Sequence, residues 1–145
     1  MHKCYFWRKN TCWNLIQDFI GYHQPENLIL AWDFNITLSS KENNAGYIVR
    51  DPLCKLIEDI IMDWDLEDIK PSNCQYTRSN RRIGPGHIAA ILDRVLVQHS
   101  LLSLGYNANS SILPFISSYH KPILLNFSKD NNLGPIPFPF TQNWI

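Results

Sequence analysis

The sequence predicts one domain of mixed α and β structure followed by an extended tail. Two segments space their apolar residues as amphipathic helices do, and five segments are rich in β-favouring residues bounded by Gly, Pro, Asn or Ser. A chain of 145 residues with 45% hydrophobic content can bury one compact core. From residue 129 the sequence turns polar and then proline-rich, so we expect a globular part at 1–128 and a tail or linker at 129–145.

The two predicted helices each have a start signal and an apolar face. Thr11 can cap the first helix and Gly21 can end it, whereas Asp51 and Pro52 are typical of the start of the second. The residues that face the core are Trp13, Ile16 and Ile20 in the first helix, and Leu53, Leu56, Ile57, Ile60 and Ile61 in the second.

The first predicted strand, Leu28 to Trp32, is apolar at every position, which is typical of a strand covered on both faces. It ends directly before Asp33. The acidic stretch Asp63 to Asp68 could be imagined as a metal site, but a solvated connection is the better interpretation. The other predicted strands are Gln75 to Arg78, Ile88 to Val97, Ser111 to Ile116 and Ile123 to Phe127.

Composition and charge argue against several function classes. Thirteen basic residues balance thirteen acidic ones, so any contact with nucleic acid must come from a local patch. The four cysteines lack the short pair spacing of zinc or redox motifs, and we expect free thiols. Because the sequence has neither a signal peptide nor an apolar run of about 18 to 20 residues, we expect an intracellular protein, nuclear or cytoplasmic, without a membrane partner.

Polar residues at the ends of predicted strands are the candidates for chemistry. Asp33 and Asn35 follow the first strand, Asp93 interrupts an apolar run, and His120 precedes the last strand. Phosphodiester hydrolysis needs a positioned water, stabilisation of the phosphate charge and a carboxylate–histidine pair, and these four residues could supply much of that. Taken singly, each is more often a turn residue, a helix cap or a structural histidine.

The order and wording of the segments around these residues resemble the endonuclease/exonuclease/phosphatase family. Ala31 to Asn35 resembles its GDFN motif, Ile91 to Val97 its LDRVLV strand, and Ser118 to Ile123 its SDHxPI motif. Gln75 to Asn80 is similar to the YTWSN segment of plant non-LTR (LINE-type) retrotransposon endonucleases. Gly134 to Trp144 is similar to the sequence that precedes their reverse transcriptase.

The resemblance implies a fold and a set of roles. The fold would be part of the four-layer α/β/β/α sandwich of DNase I-like proteins, and the activity would be cleavage of DNA or other nucleic acid with Mg²⁺ (or Mn²⁺). Asp33 would position the attacking water or assist the leaving group, and Asn35 would bind the scissile phosphate. Asp93 would orient His120, which would contact the phosphate or the attacking water.

Three departures from the family pattern lead us to expect little or no activity. Trp32 stands in place of a glycine, and Tyr119 stands in place of a metal-side aspartate, which leaves Asp33 as a weak metal ligand. The family's N-terminal half, with further metal and catalytic residues, has no counterpart in this sequence. A sheet without those strands would expose apolar surface, from which we expect self-association.

A group of basic residues surrounds the turn at 83–86 and provides the second functional hypothesis. Its members are Arg78, Arg81, Arg82, His87 and Arg94, with Asn80 beside them. The group could contact a nucleic-acid backbone or could be a solvated hairpin tip, and the two interpretations are about equal. Two function classes therefore stay open: a metal-dependent phosphodiesterase and a non-catalytic remnant that binds nucleic acid or a protein.

Overall fold

The computed structural model describes residues 2–44, 50–114 and 118–129, and of residues 2–10 it describes the backbone. Helices and antiparallel sheets alternate along the chain, which confirms the predicted mixture of α and β structure. The helices are α1 (His2–His23), α2 (Cys54–Asp63) and α3 (His99–Ser103), with 3-10 turns at Ser40–Glu42 and Gly84–Gly86. The strands are β1 (Ile29–Asp33), β2 (Leu66–Asp68), β3 (Arg78–Ser79), β4 (Ala89–Ala90), β5 (Asp93–Gln98), β6 (Tyr106–Ile112) and β7 (Ile123–Lys129). Lys129, the first residue of the predicted tail, ends β7 and so belongs to the folded part, and residues 130–145 of that tail lie outside the described residues.

The strands form one three-stranded sheet and two hairpins. The main sheet has the order β1-β5-β2, and β5 pairs antiparallel with both neighbours. The pair β3–β4 and the pair β6–β7 are each two-stranded and antiparallel. The central strand β5 is therefore hydrogen-bonded along both of its edges.

The two faces of β5 pack against different elements. Leu96 points to one face and belongs to a core built mainly by α1 and α2. Val95 and Val97 point to the other face and pack with Leu101 against the β6–β7 hairpin. This division follows from the alternation of side chains along a strand. The first core contains Trp13, Ile20, Leu28, Phe34, Ile36, Leu53, Cys54, Ile57, Ile60, Leu66 and Leu96.

Helix α1 is longer than predicted at both ends. It begins at His2, so Thr11 lies inside the helix and is not its cap. Gly21 also lies inside, and the helix stops two residues later, where Gln24 adopts a left-handed φ of 41° and its N–H donates to the carbonyl of Ile20. The inward face was predicted correctly, because the apolar spacing does not depend on where the helix ends.

Helix α2 forms in the predicted segment but begins at Cys54, two residues after Pro52. The Asp51 carboxylate accepts the N–H of Leu53 at 2.9 Å, and the Asp51 carbonyl accepts the N–H of Cys54. These two bonds satisfy amides that an isolated helix start would leave without partners. The apolar stripe predicted from Leu53 onward is buried at Ile57 and Ile60. No helix among the described residues is long and apolar enough to cross a membrane.

Strand β1 is not covered on both faces, contrary to the prediction. It lies at the edge of the main sheet, where Trp32 is 63% exposed and Ile29 is 39% exposed. The β6–β7 hairpin packs over β5 instead, at Val95 and Val97. The expected self-association through uncovered sheet surface stays a prediction, and β1 is the strand that would carry it.

The other predicted strands differ from the structure mainly in their bounds. The run from Ile88 to Val97 is broken into β4 and β5, because the N–H of Ile91 donates to the Glu42 carbonyl and that of Leu92 to the Thr77 hydroxyl. Strand β3 begins at the predicted end of its segment, β6 begins five residues before the predicted strand, and β7 is two residues longer than predicted. Residues 115 and 116 of the predicted Ser111 to Ile116 strand lie outside the described residues.

The acidic stretch contributes to a buried ion-pair network and is not simply a solvated connection. Leu66–Asp68 forms β2, and Asp68 accepts from the Arg94 guanidinium at 2.5 Å. The same guanidinium donates to both oxygens of Glu42, and Lys70 reaches Glu42 at 3.2 Å. Arg94 is 2% exposed and therefore cannot lie against a nucleic-acid backbone, which corrects the prediction for this residue.

Burial raises the pKa of the Glu42 carboxyl, but several donors together outweigh it. These are the Arg94 guanidinium, the Leu38 N–H and the Lys70 ammonium, and the pKa of Glu42 lies below its ordinary value as a result. A lowered folded-state pKa stabilises the fold above the unfolded value, which is about 4.3 for glutamate. This contribution is lost as the pH falls from that value through the folded-state pKa.

Replacing Glu42 by Gln should destabilise the fold by about 3 kcal/mol at neutral pH, because it leaves the buried Arg94 cation without full compensation. Glu58→Gln is the matched control, since Glu58 pairs with Arg50 on the surface and should cost less than about 1 kcal/mol. Urea unfolding of both variants measures the difference, which should narrow as the pH falls below about 4. Equal midpoints for the two variants at neutral pH would contradict the role of the network.

Candidate functional site

Two carboxylates meet at one end of the main sheet. Asp33 ends β1 and Asp93 begins β5, and the register of the two strands places them directly opposite each other. They project to the same face as Val95, because residues two apart on a strand share a face. That face is the one that the β6–β7 hairpin partly covers.

His120 completes the group from the chain just before β7. Its Nδ1 lies 3.1 and 3.2 Å from the two oxygens of Asp93, and its Nε2 lies 3.9 Å from Oδ2 of Asp33. A carboxylate can only accept a hydrogen bond, so Nδ1 carries the hydrogen, and Nε2 faces Asp33. One ligand atom from each of the three residues lies within 4.8 Å of the others. The group that the sequence predicted is therefore assembled.

The turn after β1 is fixed by the residue following Asp33. Phe34 is buried against Trp13, with ring centroids 4.9 Å apart, and its N–H donates to the Leu92 carbonyl at 2.9 Å. The N–H of Asn35 donates to Oδ1 of Asp33 at 2.9 Å, and Asn35 adopts a left-handed φ of 53°, which asparagine tolerates. Asn35 thus lies beside Asp33, as predicted, and its backbone orients the carboxylate.

Thr77 joins the segments that carry the other two residues. Thr77 is 1% exposed, and its hydroxyl accepts the N–H of Leu92 at 3.0 Å and that of Asp93 at 3.1 Å. Its carbonyl accepts the N–H of Lys121 at 2.8 Å, directly after His120. Sequence reasoning gave Thr77 no role, because one threonine in a strand-like segment has no spacing that sets it apart.

The loop that carries His120 is tied to the β3–β4 hairpin. The Ser118 hydroxyl accepts the N–H of His120 at 3.1 Å, and the Tyr119 carbonyl accepts the N–H of Ser79 at 3.1 Å. The Arg81 guanidinium donates to the Ser118 carbonyl. These bonds hold the backbone on both sides of the imidazole, while the Tyr119 side chain stays 61% exposed.

Lys121 is turned away from the carboxylates. Its ammonium lies 3.1 Å from the Cys74 sulfur and 3.3 Å from the Tyr76 carbonyl. Burial raises the pKa of the Cys74 thiol, but hydrogen bonding to the Tyr76 backbone and the Lys121 ammonium lower it, and the pKa lies below its ordinary value. Cys74 is a free thiol, as are Cys12 and Cys54, in agreement with the prediction for these three cysteines.

Asn80 closes the hairpin turn. Its side-chain oxygen Oδ1 accepts hydrogen bonds from the N–H groups of Arg82 and Ile88. Its side-chain nitrogen Nδ2 donates to the Gly86 carbonyl at 2.7 Å. His87 bridges the same hairpin to Asn44, which lies 3.0 Å from its Nδ1. Asn80 was predicted as a nucleic-acid contact, and the structure shows that its side chain also shapes the turn.

The predicted basic surface is reduced to three arginines on this hairpin. Arg78, Arg81 and Arg82 are exposed, whereas Arg94 is buried on the other face of the main sheet. Ile83 at the tip is 99% exposed. The hairpin therefore presents cations next to an apolar tip, beside the loop that carries His120.

Two shallow cavities of about 350 Å³ each lie among the segments that carry the Asp33–Asp93–His120 group, and Asp93 and His120 line one of them. One is lined by Trp32, Asp93, His120 and Pro122 among others, and the second by Arg78, Asn80, Leu92 and Tyr119 among others. The side chains of His120 and Asp33 are 35% and 39% exposed, so water and small ligands can reach both. No protein-family model matches the chain, and no curated protein matches it.

Thr77→Val should cost about 1 to 3 kcal/mol, because it leaves the buried amides of Leu92 and Asp93 without an acceptor. Thr77→Ser keeps the hydroxyl and is the matched control. Hydrogen exchange resolved at these two amides measures the effect, and protection should fall in the valine variant while it is kept in the serine variant. Unchanged protection in Thr77→Val would show that another group holds the start of β5.

Proposed function

We propose that this chain is related to the C-terminal part of endonuclease/exonuclease/phosphatase (DNase I-like) domains and derives from a metal-dependent phosphodiesterase that acts on nucleic acid. The observation that carries the proposal is the Asp93–His120 pair facing Asp33 at one sheet edge. Support for the fold comes from the helices on one face of the main sheet and the hairpin on the other. The finer description as a DNase I-like sandwich belongs to this proposal.

The three side chains suit the proton transfers of phosphodiester hydrolysis. Asp93 fixes the imidazole so that Nε2 is left for a water or a phosphate oxygen. Asp33 lies across a 3.9 Å gap from that nitrogen, where it can accept a proton from water or orient the leaving group. The backbone N–H of Asn35 holds this residue beside Asp33, and we assign its amide to the scissile phosphate, as the family resemblance implies.

The donor set fits Mg²⁺ poorly, and for this reason we propose low activity. Mg²⁺ requires near-octahedral oxygen ligands at about 2.0 to 2.1 Å. Both Asp93 oxygens are engaged by His120, and one Asp33 oxygen accepts from Asn35. Tyr119 offers an exposed neutral phenol where the family resemblance implies a carboxylate. Little of the required oxygen coordination is available from these residues.

A non-catalytic role in binding nucleic acid is the second candidate, and the hairpin favours it. Arg78, Arg81 and Arg82 are exposed beside the site, on a chain whose formal net charge is zero. Arginine side chains bind phosphate through paired N–H donors, which makes such a surface suited to a nucleic-acid backbone. This role does not require hydrolysis at His120.

Nicking of supercoiled plasmid tests the catalytic proposal. The unaltered chain with Mg²⁺ should nick weakly, and Tyr119→Asp should raise the rate about tenfold or more because it supplies the carboxylate that the donor set lacks. His120→Ala and EDTA should each remove the activity. His99→Ala is the matched control, since this exposed imidazole lies at the opposite end of β5.

The catalytic proposal would be contradicted if Tyr119→Asp and the double variant Tyr119→Asp/His120→Ala nicked at the same rate. Nicking would then be independent of the imidazole. Equal nicking by every sample, including those with EDTA, would do the same by identifying a contaminating nuclease.

The nucleic-acid surface is tested separately by binding of a labelled DNA duplex at several salt concentrations. Arg78→Ala/Arg82→Ala should weaken binding and reduce the slope of log affinity against log salt by about 1.8, or 0.9 for each lost phosphate contact. Arg50→Ala/Lys55→Ala on the α2 side removes the same charge and is the control. Equal weakening in both double variants would show that net charge, and not the hairpin, determines binding.

A further inference from the structure

The donor atoms around His120 point to a different class of metal ion than the family resemblance implies. We propose that Asp33 and His120 bind a transition-metal ion of the Zn²⁺ type in preference to Mg²⁺, and that Asp93 orients the imidazole without itself being a ligand. We place this ion in the site of the proposed function, on which the inference rests for its location. Hydrolysis is not required for the ion to bind.

The first reason is the state of the imidazole. Nδ1 donates to Asp93, so the lone pair of the neutral ring lies on Nε2, which faces Asp33. A histidine ligand commonly donates its other ring N–H to a carboxylate, which fixes the tautomer and makes the ring a better ligand. The Asp93–His120 contact has this form, while the ligand atom itself remains accessible.

The second reason is the distance. Zn²⁺ binds imidazole nitrogen and carboxylate oxygen at about 2.0 to 2.2 Å, so two tetrahedral ligand atoms lie roughly 3.3 to 3.5 Å apart. Nε2 of His120 and Oδ2 of Asp33 are 3.9 Å apart. Closing this gap by about half an ångström requires only small side-chain rotations, and both side chains are more than one third exposed. Water completes the coordination from the adjoining cavity.

The third reason is charge. Two carboxylates meet at this edge, and the cations that follow Asp93 and His120 in the sequence are bound elsewhere. Arg94 pairs with Glu42 on the opposite face of the sheet, and Lys121 contacts Cys74. In the part of the chain that the structure describes, these two neighbouring cations do not neutralise the carboxylates, whose negative charge attracts a metal cation. Imidazole favours Zn²⁺ over Mg²⁺, for which oxygen ligands are preferred.

The test is metal binding by the full chain at neutral pH after chelator treatment, with Co²⁺ as a spectroscopic substitute for Zn²⁺. One equivalent of Co²⁺ should produce visible absorption bands without the strong charge-transfer band of a thiolate ligand, and Zn²⁺ should displace it. A hundredfold excess of Mg²⁺ should not. The side-chain ¹⁵N resonance of His120 Nε2 should shift on Zn²⁺ addition, which needs no variant.

The variants separate ligands from positioning residues. Asp33→Asn and His120→Ala should each weaken Zn²⁺ binding by more than tenfold, and Asp93→Ala by about 10- to 100-fold. Cys74→Ser and His99→Ala should bind as the unaltered chain does. Thermal unfolding of each variant checks that the fold is kept, and the ¹⁵N measurement on the unaltered chain decides the question if a variant does not fold.

The proposal is overturned if the His120 resonance does not shift, if Mg²⁺ displaces Co²⁺ as well as Zn²⁺ does, or if binding is lost in Cys74→Ser. Its failure is distinguishable from that of the proposed function. Zn²⁺ binding without any nicking by Tyr119→Asp would leave the metal site standing and contradict the catalytic proposal. Nicking that depends on His120 without Zn²⁺ binding would give the reverse result.

Discussion

The antiparallel pairing of β1 with β5 is the constraint on which the site depends. Its register sets Ile29 opposite Val97 and Asp33 opposite Asp93, so the two carboxylates meet only where the ladder ends. A slip of one residue would turn Asp33 towards the helical core and Trp32 towards His120. The apolar residues of β5 pack into two different cores, Leu96 into one and Val95 and Val97 into the other. A one-residue shift of β5 would place each of these side chains in the wrong core, and this holds the register.

The residue that follows each carboxylate points to the face of the sheet opposite the site. Phe34 anchors the turn beyond Asp33 in the helical core, against Trp13. Arg94, next to Asp93, points to the opposite face and binds Glu42 and Asp68 there. The ion-pair network thus supports the site from behind without contributing a group to it. Thr77 supports the site in a similar way. Its hydroxyl binds the backbone at the start of β5, and its carbonyl binds the chain directly after His120.

Local patterns in the sequence predicted α2 and β7, and strand ends marked Asp33, Asp93 and His120 as candidates. Their pairing was an expectation from the family resemblance. The sequence did not reveal that Arg94 is buried, since its partner Glu42 is 52 residues away and belongs to a short 3-10 turn. Strand β2 was missed for a related reason. Its acidic residues look solvated until the pairing of Asp68 with a distant arginine is known.

The same limit applies to the bounds of α1 and to the exposure of β1. Whether Thr11 begins a helix depends on residues upstream that continue it, and whether an apolar strand is covered depends on which hairpin packs over it. The family resemblance implies that Asp93 orients His120, and in the fold both oxygens of Asp93 face Nδ1 of His120. The distances within this pair could not be obtained from the sequence.

The central claim is that Asp33 and the Asp93-oriented His120 form one metal-binding group. The most direct measurement is anomalous X-ray diffraction from crystals of the chain soaked in Zn²⁺, recorded on both sides of the zinc absorption edge. We predict a peak about 2.0 to 2.2 Å from both Nε2 of His120 and a carboxylate oxygen of Asp33, with Asp93 on Nδ1. A map in which the zinc peaks lie elsewhere, or in which Asp33 and Asp93 are not opposite each other, would contradict it.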